Sequence, residues 1–275
     1  MTLSTIRNNP AKQKKVKTKK QKAIAATCAV AFWLLVWHVV SLCVGSELVL
    51  VSPVKVVQTL FTVIFDPDFL KTVWYSAARI LGGFFTALTL GTVLGWGASR
   101  FWVVETLLRP ITAVIKATPV ASFIILVLLW FSGKNLSVII SMLMVFPVIY
   151  MNVLEGIRSA DEKLLEMAQV FRLSVGKKLL YIYLPAVAPF FVSACSVSLG
   201  LCWKSGIAAE VIGTPDGSIG AVFYQAKIFL QTSELLAWTV VVVAVSVAFE
   251  KLFMFLLRLV LKKLKMEDVL NGKRA

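Results

Sequence analysis

Histidine is nearly absent from this sequence: His38 is the single copy in 275 residues. It lies in an apolar run with no metal-ligating partner near it, so it reads as a packed side chain and not a metal ligand. Cysteine is scarce too. Cys28, Cys43, Cys195 and Cys202 all fall in or beside apolar runs, and no C-x-x-C spacing occurs. A disulfide framework of the small secreted kind is excluded, which leaves the four as small apolar fillers. No G-x-x-x-x-G-K-[ST] phosphate loop occurs; SGKN and VGKK are the nearest strings and both fail the pattern. HExxH and GxSxG are missing, and no set of nucleophile, base and orienter can be assembled. The reading is therefore no catalytic residues, no metal site and no cofactor site in this chain.

Acid is also short. The chain has 14 Asp and Glu against 29 Lys and Arg, for a net charge of +15. Such a balance can signal nucleic acid, but here the bases crowd into both tails and one loop. The bias of basic residues toward the cytoplasmic side of membrane proteins explains that pattern, and nucleic-acid binding is set aside.

Apolar residues are abundant: 59% of the chain, with a mean hydropathy of +0.84, against about 45–50% apolar in soluble domains. Several runs exceed the ~20 residues that cross a hydrocarbon core. In lipid such runs must be helical, because a helix satisfies its own backbone hydrogen bonds. The fold class expected is an all-α membrane protein with about six transmembrane helices and little soluble mass.

Residues 1–22 read as a basic cytoplasmic tail and 23–70 as a first transmembrane helix, Ala23–Val44, with an external segment. The first run is longer than a signal-peptide core of about 7–15 residues and lacks a small-x-small cleavage site, so it reads as an uncleaved span. The string VSLC resembles a lipid-attachment site, but Leu42 occupies the place of a small residue. Ser52-Pro53 predicts the start of a short amphipathic helix, with serine as cap and proline in the first turn.

The membrane core is expected over 71–260, followed by a basic cytoplasmic tail at 261–275. Its spans are predicted near Thr72–Ala98, 102–131, Leu136–Asn152, Ala186–Ala209 and Leu235–Leu257. Gly91 and Gly95 form a GxxxG face open to close helix packing, either within the chain or between subunits. Residues 102–131 are too many for one straight span, and Arg109-Pro110 and Thr118-Pro119 interrupt them. Broken helices are tolerated in lipid only inside protein or beside a cavity, so this region is predicted to be bent and internal. Residues 132–135 read as a short external turn, Pro147 as a kink, and 210–233 as an external segment whose turns are marked by Gly213, Pro215, Gly217 and Gly220.

The loop 155–185 is the unusual part. It is polar and basic, with Arg158, Lys163, Arg172, Lys177 and Lys178, yet it carries helix signals. Ser159 and Glu162 make an S-x-x-E capping-box pattern. Leu164, Leu165, Ala168 and Phe171 then place apolar side chains on one helical face. Ser174 is a candidate cap for a second helix, and Pro185 for the break into the next span. About six spans put both termini and this loop on one side, where the basic residues concentrate; the other side has chiefly Lys55, Lys71, Lys134 and Lys227. A loop of this kind looks built to be held by a soluble partner.

Glu166, Ala168, Ile182, Leu184 and Pro185 fall at the offsets of E-A-A-x3-G-x9-I-x-L-P. That segment resembles the cytoplasmic loop of bacterial ABC importer permeases of the binding-protein-dependent type. Met167 and Arg172 depart from the pattern. Arg172 replaces a glycine and adopts positive φ less readily, so the turn is predicted to differ locally. The stretches Ala117–Gly133 and Gly200–Gly220 resemble the nitrate/sulfonate/taurine branch of the same permeases, and the resemblance covers roughly residues 70–260.

The resemblance implies a type I ABC importer permease (MetI-like) architecture in the bacterial inner membrane. It implies a second permease subunit, by default a homodimer, separate ATPase subunits that hold ATP-Mg, and an extracytoplasmic solute-binding protein. The motif positions Leu164, Glu166, Ala168, Phe171, Arg172, Leu184 and Pro185 would couple to the ATPase. Candidates for the pathway or its gate are Ser196, Gly200, Trp203, Lys204 and Glu210. Ser193, Ser196, Gly200 and Lys204 recur at helical steps and share one face; Lys204 either lines the path or snorkels or pairs with Glu210. The solute implied is a small anion such as nitrate, a sulfonate or taurine, with thiamine- or riboflavin-related precursors as the alternative. A secondary transporter or a membrane scaffold are the readings of another class; no internal repeat supports the first, and kinked internal helices argue against the second.

Overall fold

The computed structural model describes residues 19–264, and their regular structure is entirely helical. The chain divides into two compact units, residues 1–55 and 56–275. The expected basic tails lie almost wholly outside the described residues.

In the first unit, α1 (Lys19–Val44) covers the predicted first span. Its large apolar side chains, Phe32, Trp33 and Leu35 among them, are exposed, as a lipid-facing helix requires. Gly45 ends it at φ +64°, and its N–H reaches the Ser41 carbonyl. Beyond it, the indole N–H of Trp37 donates to the Val51 carbonyl at 3.0 Å. Helix α2 (Pro53–Ile64) begins where Ser52-Pro53 predicts, with Ser52 Oγ accepting from the Lys55 N–H at 3.4 Å.

The second unit holds α2 from Val56 onward, then α3 (Phe69–Arg100), α4 (Trp102–Ala117), α5 (Val120–Trp130), α6 (Gly133–Arg158), α7 (Glu162–Val170), α8 (Val175–Lys178), α9 (Leu184–Gly213), α10 (Ile219–Ile228) and α11 (Thr232–Lys263). Among the described residues, five helical stretches are long and apolar enough to cross a membrane, or six if the bent pair α4–α5 counts as one. Helix α6 is the axis of the core. Ile80, Phe84 and Ala87 of α3 meet Val145, Ile149 and Val153 of α6, with Ala194, Leu199, Cys202 and Trp203 of α9 completing the cluster. A second cluster joins Ile115 of α4, Ile124 and Val127 of α5, Leu136, Ile140 and Met144 of α6 and Ala209 of α9.

The glycines decide how closely α3 approaches α6. A Cβ on Gly91 would lie 2.9 Å from Ile149 Cβ, and one on Gly95 3.0 Å from Val153 Cβ. The GxxxG face therefore packs within the chain. Apolar residues gain little from burial when the solvent is lipid, so close van der Waals contact takes over as the packing force.

Several boundaries differ from the sequence reading. The chain breaks at Thr118-Pro119, where α4 and α5 meet at a bend of 110°. Thr118 takes an extended conformation, as a residue before proline prefers. Pro110, by contrast, lies inside α4 without ending it. Two residues on, Thr112 Oγ1 donates to the carbonyls of Leu108 and Arg109. The region is bent but not internal to this chain: Leu107, Leu129 and Trp130 are exposed. Helix α6 begins at Gly133, inside the expected turn, and remains one helix through Pro147 to Arg158. The segment 210–233 contains α10, with Gly220 inside it, because Ser218 Oγ caps the Ala221 N–H at 3.0 Å.

Candidate functional site: the 155–185 loop and a membrane cleft

The loop folds as two short helices, but its caps are not those predicted. Ser159 ends α6, and its hydroxyl donates to the Gly156 carbonyl at 2.8 Å. Asp161 starts α7 instead, accepting the Lys163 N–H at 2.9 Å. A carboxylate suits that place because it also meets the positive end of the helix dipole. Ser174 does sit at the start of α8, without a side-chain cap bond.

At the end of α7, Arg172 adopts φ +49°. Its N–H donates to Gln169 O, and the Leu173 N–H donates to Ala168 O, both at 2.9 Å. Those two bonds are the Schellman motif, which requires a left-handed residue at this position. Leu173 also packs in one cluster with Ala168, the apolar contact that accompanies the motif. Arg172 thus takes the left-handed conformation that glycine adopts more readily, held there by two hydrogen bonds and a packed leucine.

The apolar face expected on the loop is not the one it exposes. Ala168 is fully buried and packs against Ala160 and Ile182. It belongs to the loop's own core and does not share an outer face with Leu164 and Phe171. The uncovered apolar side consists of Leu164, Met167, Val170, Phe171 and Val175, with Val170 79% and Val175 83% exposed. Glu166 and Arg172 are exposed beside them.

Pro185 does not break the chain. Residues Val175–Gly213 form one helical run, with a π-turn at Leu179–Tyr183. The Leu184 N–H reaches back to the Leu179 carbonyl, one residue wider than in an α-helix. That wider turn makes room for the proline ring and its missing donor. Leu184 then packs with Ala188 and Leu261, and Pro185 is half-buried.

Along α9 the five pathway candidates separate. Ser196 and Gly200 are half-buried and Lys204 is exposed, on one face. A Cβ on Gly200 would meet nothing within 4 Å. Trp203 is buried in the core. Glu210 is fully buried, and no ion pair joins it to Lys204 among the described residues. Six residues on a helix fall about 120° short of two turns, which points the two apart.

Glu210 ties helix ends together. Ser76 Oγ donates to Glu210 Oε2 at 2.6 Å, and the Gly220 N–H donates to the same oxygen at 3.3 Å. The Ile219 N–H in turn donates to Ser76 Oγ at 2.9 Å. The carboxyl group therefore links α9, α3 and the start of α10.

The sequence reading missed other polar groups. Glu250 lies within the predicted sixth span, and Ser196 Oγ donates to its Oε1 at 3.0 Å. Its signal, Glu-Lys in an apolar run at 250–251, was present in the sequence. Arg158 Nη2 pairs with Glu105 Oε2 at 2.6 Å, tying the loop end of α6 to the start of α4. At the break between α4 and α5 a cleft of about 630 Å³ opens, lined by Lys116, Thr118, Asn152 and Glu155 among apolar residues of α4, α6 and α9. This cavity accounts for a broken helix in a membrane.

A bundle of spanning helices, one broken beside a cleft, together with a structured loop bearing an uncovered apolar face, defines a membrane permease subunit. The chain belongs to the family of binding-protein-dependent transport system inner membrane components, whose model matches residues 87–266, more than half of its length. It is 29% identical over 216 residues to the putative aliphatic sulfonates transport permease protein SsuC of Bacillus subtilis, covering 78% of each chain. It is 27% identical to the taurine transport system permease protein TauC of Escherichia coli, over 78% of this chain and 80% of the relative. To the nitrate import permease protein NrtB of Synechocystis it is 26% identical, over 74% and 76%. Its fold is similar to that in the crystal structure of an amino acid ABC transporter with histidines, with a TM-score of 0.50 at 16% identity, over 70% of this chain and 96% of the other. The chain is thus an ABC importer permease subunit, an inner-membrane component whose relatives include sulfonate, taurine and nitrate permeases.

Proposed function

We propose that two copies of this chain enclose a solute pathway and that the 155–185 loop couples it to separate ATPase subunits. The observation that carries the coupling is the uncovered apolar side of α7 and its flanks, with Val170 and Phe171 79% and 71% exposed on an otherwise polar loop. Exposed apolar residues on a structured, basic loop suit a protein partner. In this reading both termini and the loop face the cytoplasm. ATP binding draws the ATPase subunits together and moves the loops with them. The π-turn and α9 continue from the loop without a break, so the displacement passes directly into a spanning helix. An extracytoplasmic binding protein delivers the solute, and hydrolysis resets the pathway.

The solute is a small anion. The substrates for which these relatives are named, aliphatic sulfonates, taurine and nitrate, share an anionic group, and Lys204 offers positive charge on the open face of α9. Phe171→Asp tests the coupling. It places a charge at the contact without touching the loop's core, and costs several kcal/mol if the contact is desolvated. The variant should reach the membrane and yet lose ATPase subunits on co-purification. Normal retention of those subunits, with normal uptake, would remove this assignment. Ala168→Asp is the wrong probe, because it would unfold the loop from inside.

A further inference from the structure

Among the described residues, Glu210 is the only charged side chain that is fully buried, and the transport reading gives it no task. A buried carboxylate is costly unless donors surround it. Ser76 Oγ accepts from the Ile219 N–H, so its own hydrogen is free for Glu210 Oε2, and their 2.6 Å separation is that of a charge-assisted bond. The Gly220 N–H donates to the same oxygen. Ile219 and Gly220 open α10, where N–H groups lack acceptors within the helix and carry partial positive charge. One carboxyl group thus holds the first turn of α10, directly and through Ser76 of α3. A Cβ on Gly220 would collide with Glu210 Cβ, so α10 meets α9 here in backbone contact. Ser137 of α6 lies beside the carboxyl, and neither its Oγ nor Glu210 Oε1 has a hydrogen-bond partner among the described residues. Arg79, half-buried one turn along α3 from Ser76, attracts the carboxylate without forming an ion pair; its guanidinium lies over the Tyr75 ring at 4.4 Å.

We propose that Glu210 is the joint that makes α10 follow α9, a positioning residue that carries motion from the spanning helix to the external segment. The proposal rests on the coupling reading above. In that reading α9 receives its displacement at the loop end, and Glu210 lies one turn before the other end, Gly213. The chain then reverses through Thr214 at φ +41° and Gly217 at φ +74° before α10 begins. A five-residue turn by itself would let α10 lag behind α9. Ile219 also packs with Ala237 and Trp238 of α11, but apolar contacts gain little from burial where lipid is the solvent, and they have no direction. A buried hydrogen bond to a charge is both strong and directional. It is therefore the Glu210 group that locks the start of α10 to α9 and α3, so that the external end answers to the loop.

The test uses the complex of permease, ATPase subunits and binding protein, with Cys28 and Cys43 replaced by alanine. Spin labels are placed at the same position in both copies, at Gly200 of α9, where the space is open, or at Tyr224 of α10, which is exposed. In the wild-type background, ATP with vanadate should change both inter-copy distances by more than about 2 Å. Glu210→Leu should keep the change at 200 and lose at least half of the change at 224. Glu210→Gln should restore it, because an amide oxygen accepts both donors and the amide N–H can reach Ser137 Oγ; Glu210→Asp, one methylene shorter, should not.

An undiminished change at 224 in Glu210→Leu overturns the joint, as does rescue by aspartate and not by glutamine. If the leucine variant does not assemble, Ser76→Ala decides instead: it should reduce the change at 224 and spare the change at 200, and equal changes at both overturn the joint. Movement at 200 without movement at 224 in the wild-type complex refutes the joint and leaves the coupling reading standing. Movement at neither position refutes the coupling reading, and the joint falls with it.

Discussion

Replacing Arg172 by glycine should tighten the loop. The residue holds φ +49° at the end of α7, a conformation that costs an L residue about 1–2 kcal/mol. Glycine carries no such penalty but brings about 0.5–1 kcal/mol of extra chain entropy to be lost on folding. The difference leaves a net gain of about 0.5–1 kcal/mol. The side chain is exposed, so its removal takes away little packing. The gain should appear at the Leu173 amide, whose N–H bonds Ala168 O at 2.9 Å and is released when the turn opens. Since ~1.4 kcal/mol is tenfold in an equilibrium, Arg172→Gly should slow hydrogen exchange at Leu173 roughly two- to five-fold. Arg172→Ala keeps the backbone penalty and removes the charge, so it should exchange within a factor of about two of wild type. If glycine does not slow exchange, the left-handed turn is not the source of strain. If alanine slows it as much as glycine, the arginine charge is responsible and the backbone argument fails.

Three further outcomes are expected. Gly91→Leu should lower the thermal stability of the purified permease by about 1–3 kcal/mol or more through overpacking, because even its Cβ would sit 2.9 Å from Ile149; Gly82→Leu, with open space around it, is the control and should change little. Ser76→Ala removes both the donor to Glu210 and the acceptor of the Ile219 N–H, and should destabilise the protein by about 1.5–3 kcal/mol, seen as earlier proteolysis near α10. A cysteine at position 216 should react with an impermeant maleimide in intact cells and one at position 170 should not; labelling at 170 would overturn the proposed orientation.

Much of the fold was legible because lipid permits so few structures. Apolar runs in a bilayer must be helices, so composition alone places the spans, and the motif positions from Glu166 to Pro185 locate the loop. Helical periodicity also put Ser196, Gly200 and Lys204 on one face, as found. Periodicity assigns a face but not what covers it. Only tertiary structure decided that the Gly91–Gly95 seam meets α6, that Ala168 turns into the loop's own core, and that Trp203 and Glu210 point away from the open face of α9. The two proline sites read alike in sequence, yet Pro110 is carried within α4, while Pro119 follows an extended Thr118 and stands at the start of α5. Arg172 shows the same limit: propensity disfavours its conformation, and two hydrogen bonds with one packed leucine outweigh that preference. The cleft beside Lys116 combines residues from α4, α5, α6 and α9 that are far apart in the chain. A single sequence carries no record of that convergence, because it arises only when the broken helix packs against its neighbours.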